Sequence, residues 1–290
     1  MTGMDCAADL GELAGAARAV AGMVWHAVGA GGRLGVAFSG GVDSAVLVAL
    51  AVRALGAGRV VAVLGVSPSL AASERAAAHE IAAFIGVPVV EVATREGDRD
   101  AYRANGPDRC YHCKDELFTR VDAELVTRYD LDAVAYGENA DDARRPDRPG
   151  ARAATEHGVL RPLADAGLTK ADVRALARAL RLPVADKPAA PCLASRIPHF
   201  ERVDPAKLAQ VERAEAAVRA LGLRDCRVRH HGDVARLELD PADLPRAVQD
   251  PLRAGLLDAV RSAGFRFVAL DLAGIQSGAF TLPLVASAGG

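Results

Sequence analysis

Apolar positions in the first third of the chain fall into two rhythms that take turns. Residues 8 to 28 set Leu10, Leu13, Ala17, Val20 and Val24 at helical spacing, and "RLGVAF" then reads as a buried strand running into the polar turn "SGGVDS". "DSAVLVALAVRAL" continues as a helix, "RVVAVLGVS" as a second apolar strand, "SERAAAHEIAAFIG" as a helix closed by Gly86, and "VPVVEVAT" as a third strand. That alternation predicts an α/β fold: a parallel sheet with helices on both faces, whose ligands sit at the carboxyl ends of the strands. "LDAVAYGENADD" adds a strand that ends in a polar loop at the same edge.

Prolines and charges break the pattern around "RIPHFERVDPAKL", residues 196 to 208. A helix from Leu208 to Leu221 and two alternating stretches, "CRVRHHGDVARLEL" and "RFVALDL", follow it. The expected division is a nucleotide-type domain over 1–200 and a small α+β domain over 201–290 for substrate binding or oligomerisation. There is no internal repeat, and the one loose tract is the "ASAGG" tail.

Composition narrows the class. With 51% hydrophobic and 25% charged residues the 290-residue chain is ordinary for a globular protein. Its early apolar run, Ala45 to Val52, is far short of the roughly 20 residues that span a bilayer. Asp5, Asp9 and Glu12 interrupt the start, which therefore does not read as a signal peptide, and a cytoplasmic location is expected. A net charge of -2 and no block of Lys and Arg give no footprint for nucleic acid. Five cysteines, an odd number, fit reduced thiols with metal or catalytic roles better than a disulfide framework. Cations are almost all Arg; the lysines are Lys114, Lys170, Lys187 and Lys207, and a Lys among so many Arg suggests a use for its compact ammonium head.

A strand that turns through two glycines into a helix aims backbone N–H groups and a helix dipole at one point, which suits phosphate. The phosphate loop that ends in Gly-Lys-Ser/Thr is absent, since Val42-Asp43 stands there, so hydrolysis of a terminal phosphate is not expected. The plain alternative is a glycine turn with Asp43 capping the helix. Ser39, Gly40, Gly41, Val42, Asp43 and Ser44 instead resemble the S-G-G-x-D-S loop of ATP pyrophosphatases. That resemblance implies a cradle for the leaving diphosphate of ATP, with Asp43 placed to help hold Mg²⁺. "YGENADDARRPDRPGARAA" offers Gly137, Asn139, Asp141 and Asp142 for ribose, adenine or metal contacts.

Cys110 and Cys113 stand at Cys-x-x-Cys spacing in "PDRCYHCKDELF", and Cys192 lies in "DKPAAPCLASRIP". The first two fit a redox pair or half a metal site, and three thiolates fit a 4Fe-4S cluster with one iron open. Cys6 and Cys226 read as bystanders. If "CLASR" makes one helical turn, Arg196 shares a face with Cys192 and raises its thiolate fraction, which suits a nucleophile and a metal ligand equally.

S-G-G-V-D-S, R-C-Y-H-C-K, G-E-N-A-D-D with D-R-P-G, G-L-T-K, D-K-P and P-C-L-A-S-R, in that order, resemble the LarE family. The likeness extends to "VRHHGDVARLEL" and "LDLAGIQSGAF". It implies an ATP-dependent sulfur transferase of the pyrophosphate-loop (PP-loop) superfamily that helps build the nickel-pincer nucleotide cofactor of lactate racemase. ATP adenylylates a carboxylate of a pyridinium-3,5-biscarboxylate mononucleotide, and sulfur displaces AMP to leave a thiocarboxylate. Two sulfur sources remain open: Cys192 itself, which ends as dehydroalanine, or a sulfide on a 4Fe-4S cluster held by Cys110, Cys113 and Cys192. The resemblance further implies a homo-oligomer. Ser195 and Arg196 are candidates for the substrate, and Arg227, Arg229, His230 and His231 are candidates for its phosphate, the plain alternative being a solvated strand face. His230 and His231 are neighbours on a predicted strand, point to opposite faces, and do not suit one metal. Ala185 before D-K-P and Gln276 in "GIQSGAF" depart from the family pattern, and Gln cannot pair with phosphate as Arg does.

Three other readings compete. A tRNA-thiolating relative would want a basic surface. An amide-forming ATP pyrophosphatase such as an NAD synthetase would need no cysteines, and a nucleotide sensor would never cleave ATP.

Overall fold

The computed structural model describes residues 9–145 and 149–276, and the chain gathers into two compact units. One is built on Met1–Glu96 and Cys110–Ala190, the other on Gly97–Arg109 and Pro191–Gly290. Cys6, the D-R of D-R-P-G, the end of "LDLAGIQSGAF" from residue 277 and the "ASAGG" tail lie outside the described residues.

In the first unit, α1 (Ala14–Val28) leads into β1 (Arg33–Ala37), α2 (Val42–Leu55), β2 (Val60–Val66), α3 (Ala72–Ile85) and β3 (Val89–Ala93). There follow α4 (Arg109–Arg120), β4 (Leu131–Tyr136), the short α5 (Ala140–Ala143), α6 (Pro149–Glu156) and α7 (Lys170–Ala179). The strands form one parallel sheet in the order β3-β2-β1-β4, as the alternating pattern predicts. The chain thus runs outward from β1 to β3 and then returns to place β4 on the other side of β1. Crossovers that leave β1 in opposite directions open a crevice at the carboxyl ends of β1 and β4, the place where such sheets bind ligands.

Strand side chains alternate between faces, and each face has its own core. Val60, Ala62 and Leu64 of β2 join Leu34 and Val36 beneath α1, α2, α3 and α7, while Val61 and Val63 pack with Val92, Val121, Leu125 and Leu131 on the opposite side. The body of α2, Ala45 to Val52, is apolar all round and is enclosed accordingly: no residue from Ala45 to Ala51 is more than 2% exposed. Each buried Val or Leu there contributes roughly 1.5–3 kcal/mol. Helix α3 stops where the sequence says it should, at Gly86, whose φ of 89° is open to glycine at little cost.

The second unit begins its main helix, α8 (Pro205–Ala220), at Asp204, whose carboxylate accepts the Ala206 N–H at 2.7 Å. Strands β5 (Cys226–His231) and β6 (Val234–Leu239) form an antiparallel hairpin, and α9 (Leu252–Ser262) leads to β7 (Phe267–Leu270), parallel to β6. Helix α8 packs on β5 and α9. Residues 97–109 join this unit through main-chain bonds, Phe200 N–H to the Asn105 carbonyl at 3.1 Å and Val203 N–H to the Arg103 carbonyl at 2.9 Å. Among the described residues no helix is long and apolar enough to cross a membrane.

Candidate active site

What glycine permits shapes the turn between β1 and α2. Gly40 has φ 68°, and a Cβ built on it would stand 2.8 Å from Ala78 Cα, so the turn lies directly on α3. Gly41 takes the N-cap position with no side-chain hydrogen bond. Ser44 Oγ donates to the Gly41 carbonyl at 3.0 Å and accepts the Ser39 N–H at 3.3 Å, and Ser39 Oγ accepts the Gly41 N–H at 3.3 Å. The Ala45 N–H reaches the Gly41 carbonyl at 3.0 Å. The amides of Val42, Asp43 and Ser44 therefore stand at the start of α2 with no helical carbonyl four residues behind them. Together with the helix dipole they make a ready site for an anion.

Asp43 does not cap that helix, and its carboxylate is engaged elsewhere. Gly137 brings the end of β4 onto the turn; a Cβ there would be 2.6 Å from Ser44 N and 2.8 Å from Asp43 C. Two residues on, Asn139 caps α5 by accepting the Asp142 N–H at 2.9 Å, while its Nδ2 donates to Asp43 Oδ1 and to Asp142 Oδ2, both at 3.0 Å. Lys170 Nζ donates to Asp43 Oδ2 at 2.5 Å, and the Lys170 N–H meets Asp141 Oδ2 at 2.8 Å. Lys170 is held at the head of α7 by a capping box in which the Thr169 and Asp172 side chains each bond the other's backbone N–H. Hydrogen bonds from Thr169 keep the Asp172 carboxyl below its ordinary pKa. The residues singled out in the two loops, Asp43, Asn139, Asp141 and Asp142, thus meet at one end of the sheet. Lys170 joins them, and sequence reasoning assigned it no role; its signals were the scarcity of lysine and its place at the end of G-L-T-K.

Cys110 and Cys113 lie one turn apart on α4 and so share a face, Cys110 exposed and Cys113 partly buried. None of Cys110, Cys113, Cys192 and Cys226 is in a disulfide. Helix α4 is tied down from two directions. Lys114 Nζ sits 3.9 Å above the Tyr136 ring, and His157 bonds Asp115 and Asp122, both at 3.0 Å. Burial by itself would lower the His157 pKa, but those two carboxylates outweigh it and raise the value above the ordinary one. Among the described residues no group of three or more His, Cys, Asp or Glu side chains is gathered where it could hold a metal ion.

In the second unit, exposed Cys192 opens a 3-10 turn over Leu193–Arg196. Spacing alone aligns Arg196 with the thiol, but the guanidinium turns inward. Its fork meets buried Glu215 at 2.8 and 3.3 Å, and Nη1 donates to the Pro191 carbonyl at 2.7 Å and to Ser195 Oγ at 2.9 Å. A charge balanced by a carboxylate thus holds the Pro191 carbonyl and the Ser195 hydroxyl on either side of Cys192. Glu215 also accepts Arg219 at 2.7 Å and the Val228 N–H at 3.1 Å.

Arg229 forks onto Glu238 at 2.8 and 2.7 Å and donates to the Ser195 carbonyl at 2.8 Å. Arg227, on the same face of β5, donates to the Gln276 carbonyl at 2.6 Å. Burial, then the neighbouring Arg196 and Arg229 cations, push the Arg227 pKa down, as expected of a guanidinium held among like charges. Gln276, the departure from the family pattern, takes part through its main-chain oxygen. His230 is buried with Nε2 3.3 Å from Gln210, while His231 contacts Arg236, and burial lowers the pKa of both. Cys226, the expected bystander, is buried, and burial with nearby Glu215 pushes its pKa to about 12.

Residues 18–131 match the asparagine synthase family, which covers β1, the glycine turn and α2. An uncharacterized protein of Synechocystis sp. is 41% identical over 243 residues, 84% of this chain and 90% of its own. The pyridinium-3,5-bisthiocarboxylic acid mononucleotide synthase of Lactiplantibacillus plantarum is 34% identical over 246 residues, 85% of this chain and 88% of its own. An uncharacterized protein of Methanocaldococcus jannaschii is 29% identical over 168 residues, 58% of this chain and 64% of its own.

Proposed function

Since the chain belongs to the LarE family of PP-loop enzymes, we propose that it is an ATP-dependent sulfur transferase. It adenylylates the carboxylates of pyridinium-3,5-biscarboxylate mononucleotide and converts them to thiocarboxylates for the nickel-pincer nucleotide cofactor. The observation that carries this reading is the run of first-turn amides on α2 beside the Asp43–Lys170 pair, at the edge where β1 and β4 part.

In this mechanism the amides of Val42, Asp43 and Ser44 receive the β- and γ-phosphates, and Lys170 swings from Asp43 to the leaving diphosphate. A substrate carboxylate oxygen attacks the α-phosphorus, the bond to the β-phosphate oxygen breaks, and the acyl adenylate forms. Asp43 with the phosphates themselves fits Mg²⁺, which commonly takes one or two carboxylates plus phosphate oxygens and supplies charge neutralisation when bound. Sulfur then attacks the activated carbonyl and AMP departs, a displacement that the free carboxylate would not support. Arg227 and Arg229 are the residues for the phosphate of the substrate, because a dianion relieves the repulsion among the guanidiniums of β5.

Sulfur is delivered at Cys192. Among the described residues no three such ligands are gathered; if a cluster is the source, Cys110, Cys113 and Cys192 would be its soft thiolates, and it would supply, when bound, an open iron for the sulfide to be transferred. The exposure of Cys192 favours a second reading, in which its own Cβ–S bond breaks with loss of the Cα proton, leaving dehydroalanine. Protein purified without oxygen tests both. ATP and the biscarboxylate together should release AMP and diphosphate and yield a thiocarboxylate. Bound iron and labile sulfide with an unchanged mass at Cys192 indicate the cluster, and loss of about one sulfur from that residue indicates sacrifice. Diphosphate release that ignores the carboxylate substrate, or sulfur appearing in copurified tRNA, refutes the assignment.

A further inference from the structure

Asn105 sits at the centre of the second unit with no exposed surface and with φ 57°, a left-handed conformation that Asn tolerates better than most residues. Its side-chain amide donates to three main-chain carbonyls, Pro198 at 2.7 Å, Glu201 at 3.0 Å and Ile197 at 3.3 Å. Its own backbone carbonyl accepts the Phe200 N–H at 3.1 Å and faces His199 Nδ1 at 3.0 Å. The Asn105 Oδ1 in turn accepts Arg109 Nη1 at 2.5 Å, and the same guanidinium nitrogen donates to the Ala194 carbonyl at 2.9 Å.

Every acceptor reached this way lies in the irregular segment that follows Cys192, where prolines and a 3-10 turn leave carbonyls without ladder partners. Ala194 is two residues beyond Cys192, and Arg109 immediately precedes Cys110 along the chain. The bonds to Ile197 and Ala194 and the one between Arg109 and Asn105 are buried, and a buried network of this kind holds its backbone in a single arrangement.

We propose that Asn105 and Arg109 are positioning residues for sulfur transfer, fixing the turn that carries Cys192 without touching the substrate. This rests on the reading that sulfur is delivered at Cys192. Activation of the carboxylate draws on the glycine turn and Lys170, so the two half-reactions should separate when the clamp is loosened.

The test compares Asn105→Ala, Asn105→Asp, Arg109→Ala and Arg109→Lys in the full-length protein purified without oxygen. Diphosphate release with ATP and the biscarboxylate is measured beside thiocarboxylate yield and the alkylation rate of Cys192 by iodoacetamide. Diphosphate release should stay within about twofold of the parent, thiocarboxylate yield should fall about tenfold or more, and Arg109→Lys should recover part of what Arg109→Ala loses, since the ammonium retains donors for Ala194 and Asn105. The Cys192 alkylation rate should change in the same variants. Unchanged thiocarboxylate yield, or both half-reactions falling together with the melting temperature, overturns the proposal. Cys192→Ala separates the two ideas. If that variant still makes thiocarboxylate, the reading of Cys192 fails and the clamp loses its object; if it makes none while the clamp variants match the parent, the clamp alone fails.

Discussion

Gly40→Ala puts the shape of the glycine turn to a quantitative test. Two costs are readable from the structure. The φ of 68° lies in the left-handed region, which costs a residue with a Cβ roughly 1–2 kcal/mol. The new methyl would also meet Ala78 Cα at 2.8 Å and Ala78 Cβ at 2.9 Å, and because these are main-chain and first side-chain atoms of α3 they cannot rotate away. Overpacking of that kind costs typically about 1–3 kcal/mol, for a total of about 2–5 kcal/mol. Gly158→Ala is the matched control, with φ 63° and nothing within 4 Å of its built Cβ, so it should show only the first cost, about 1–2 kcal/mol. Urea unfolding of both variants gives the difference. A thermal-shift titration with a nonhydrolysable ATP analogue then shows whether the displaced turn has lost its ligand, with Gly158→Ala keeping the parent's shift and Gly40→Ala losing most of it. If the two variants are equally stable, or if Gly40→Ala keeps the full nucleotide shift, the argument that this turn is seated on α3 to present its amides is wrong.

Three further outcomes are expected. Lys170→Ala should cost no more than about 1 kcal/mol of stability, because its pair with Asp43 is partly exposed, yet reduce carboxylate-dependent diphosphate release about a hundredfold or more; equal losses in both would make Lys170 structural. Iodoacetamide at pH 8 should modify Cys110 and Cys192 in the native protein and spare Cys226, whose thiol is buried with a pKa near 12, as peptide mass mapping would show. The raised pKa of His157 makes its bonds to Asp115 and Asp122 a stabilising feature that is complete below pH of about 6.5 and lost as pH climbs through the raised value. His157→Gln should therefore narrow the stability difference between acidic and alkaline solution in urea unfolding, and an unaltered difference would contradict the assignment.

The first unit is legible from the sequence because its information is local. Alternating apolar runs specify the strands of a parallel sheet, and a glycine turn between a strand and a helix is a short-range signal that survives without knowledge of the fold. Asn139, Asp141 and Asp142 could be placed at the same edge because β4 precedes them and strand ends gather at one side of such a sheet. Lys170 could not, since it meets Asp43 across 127 residues and belongs to a helix whose position depends on the whole core. Arg196 shows the opposite error of inference. Its four-residue spacing from Cys192 suggests a charge beside a thiol, but a buried guanidinium needs a carboxylate more than a surface cysteine needs a cation, and Glu215 supplies one. Asn105 gave no signal at all, because its partners are carbonyls 92 to 96 residues away and main-chain oxygens leave no trace in residue type.

From Ser44 to Val52 no residue of α2 is more than 8% exposed, and an element so enclosed has little room to slide or tilt. If the three first-turn amides receive diphosphate as proposed, their aim is set before the ligand arrives, and binding resembles docking at a rigid berth. Calorimetric titration with inorganic diphosphate should accordingly show a heat-capacity change too small for any segment to be folding as it binds.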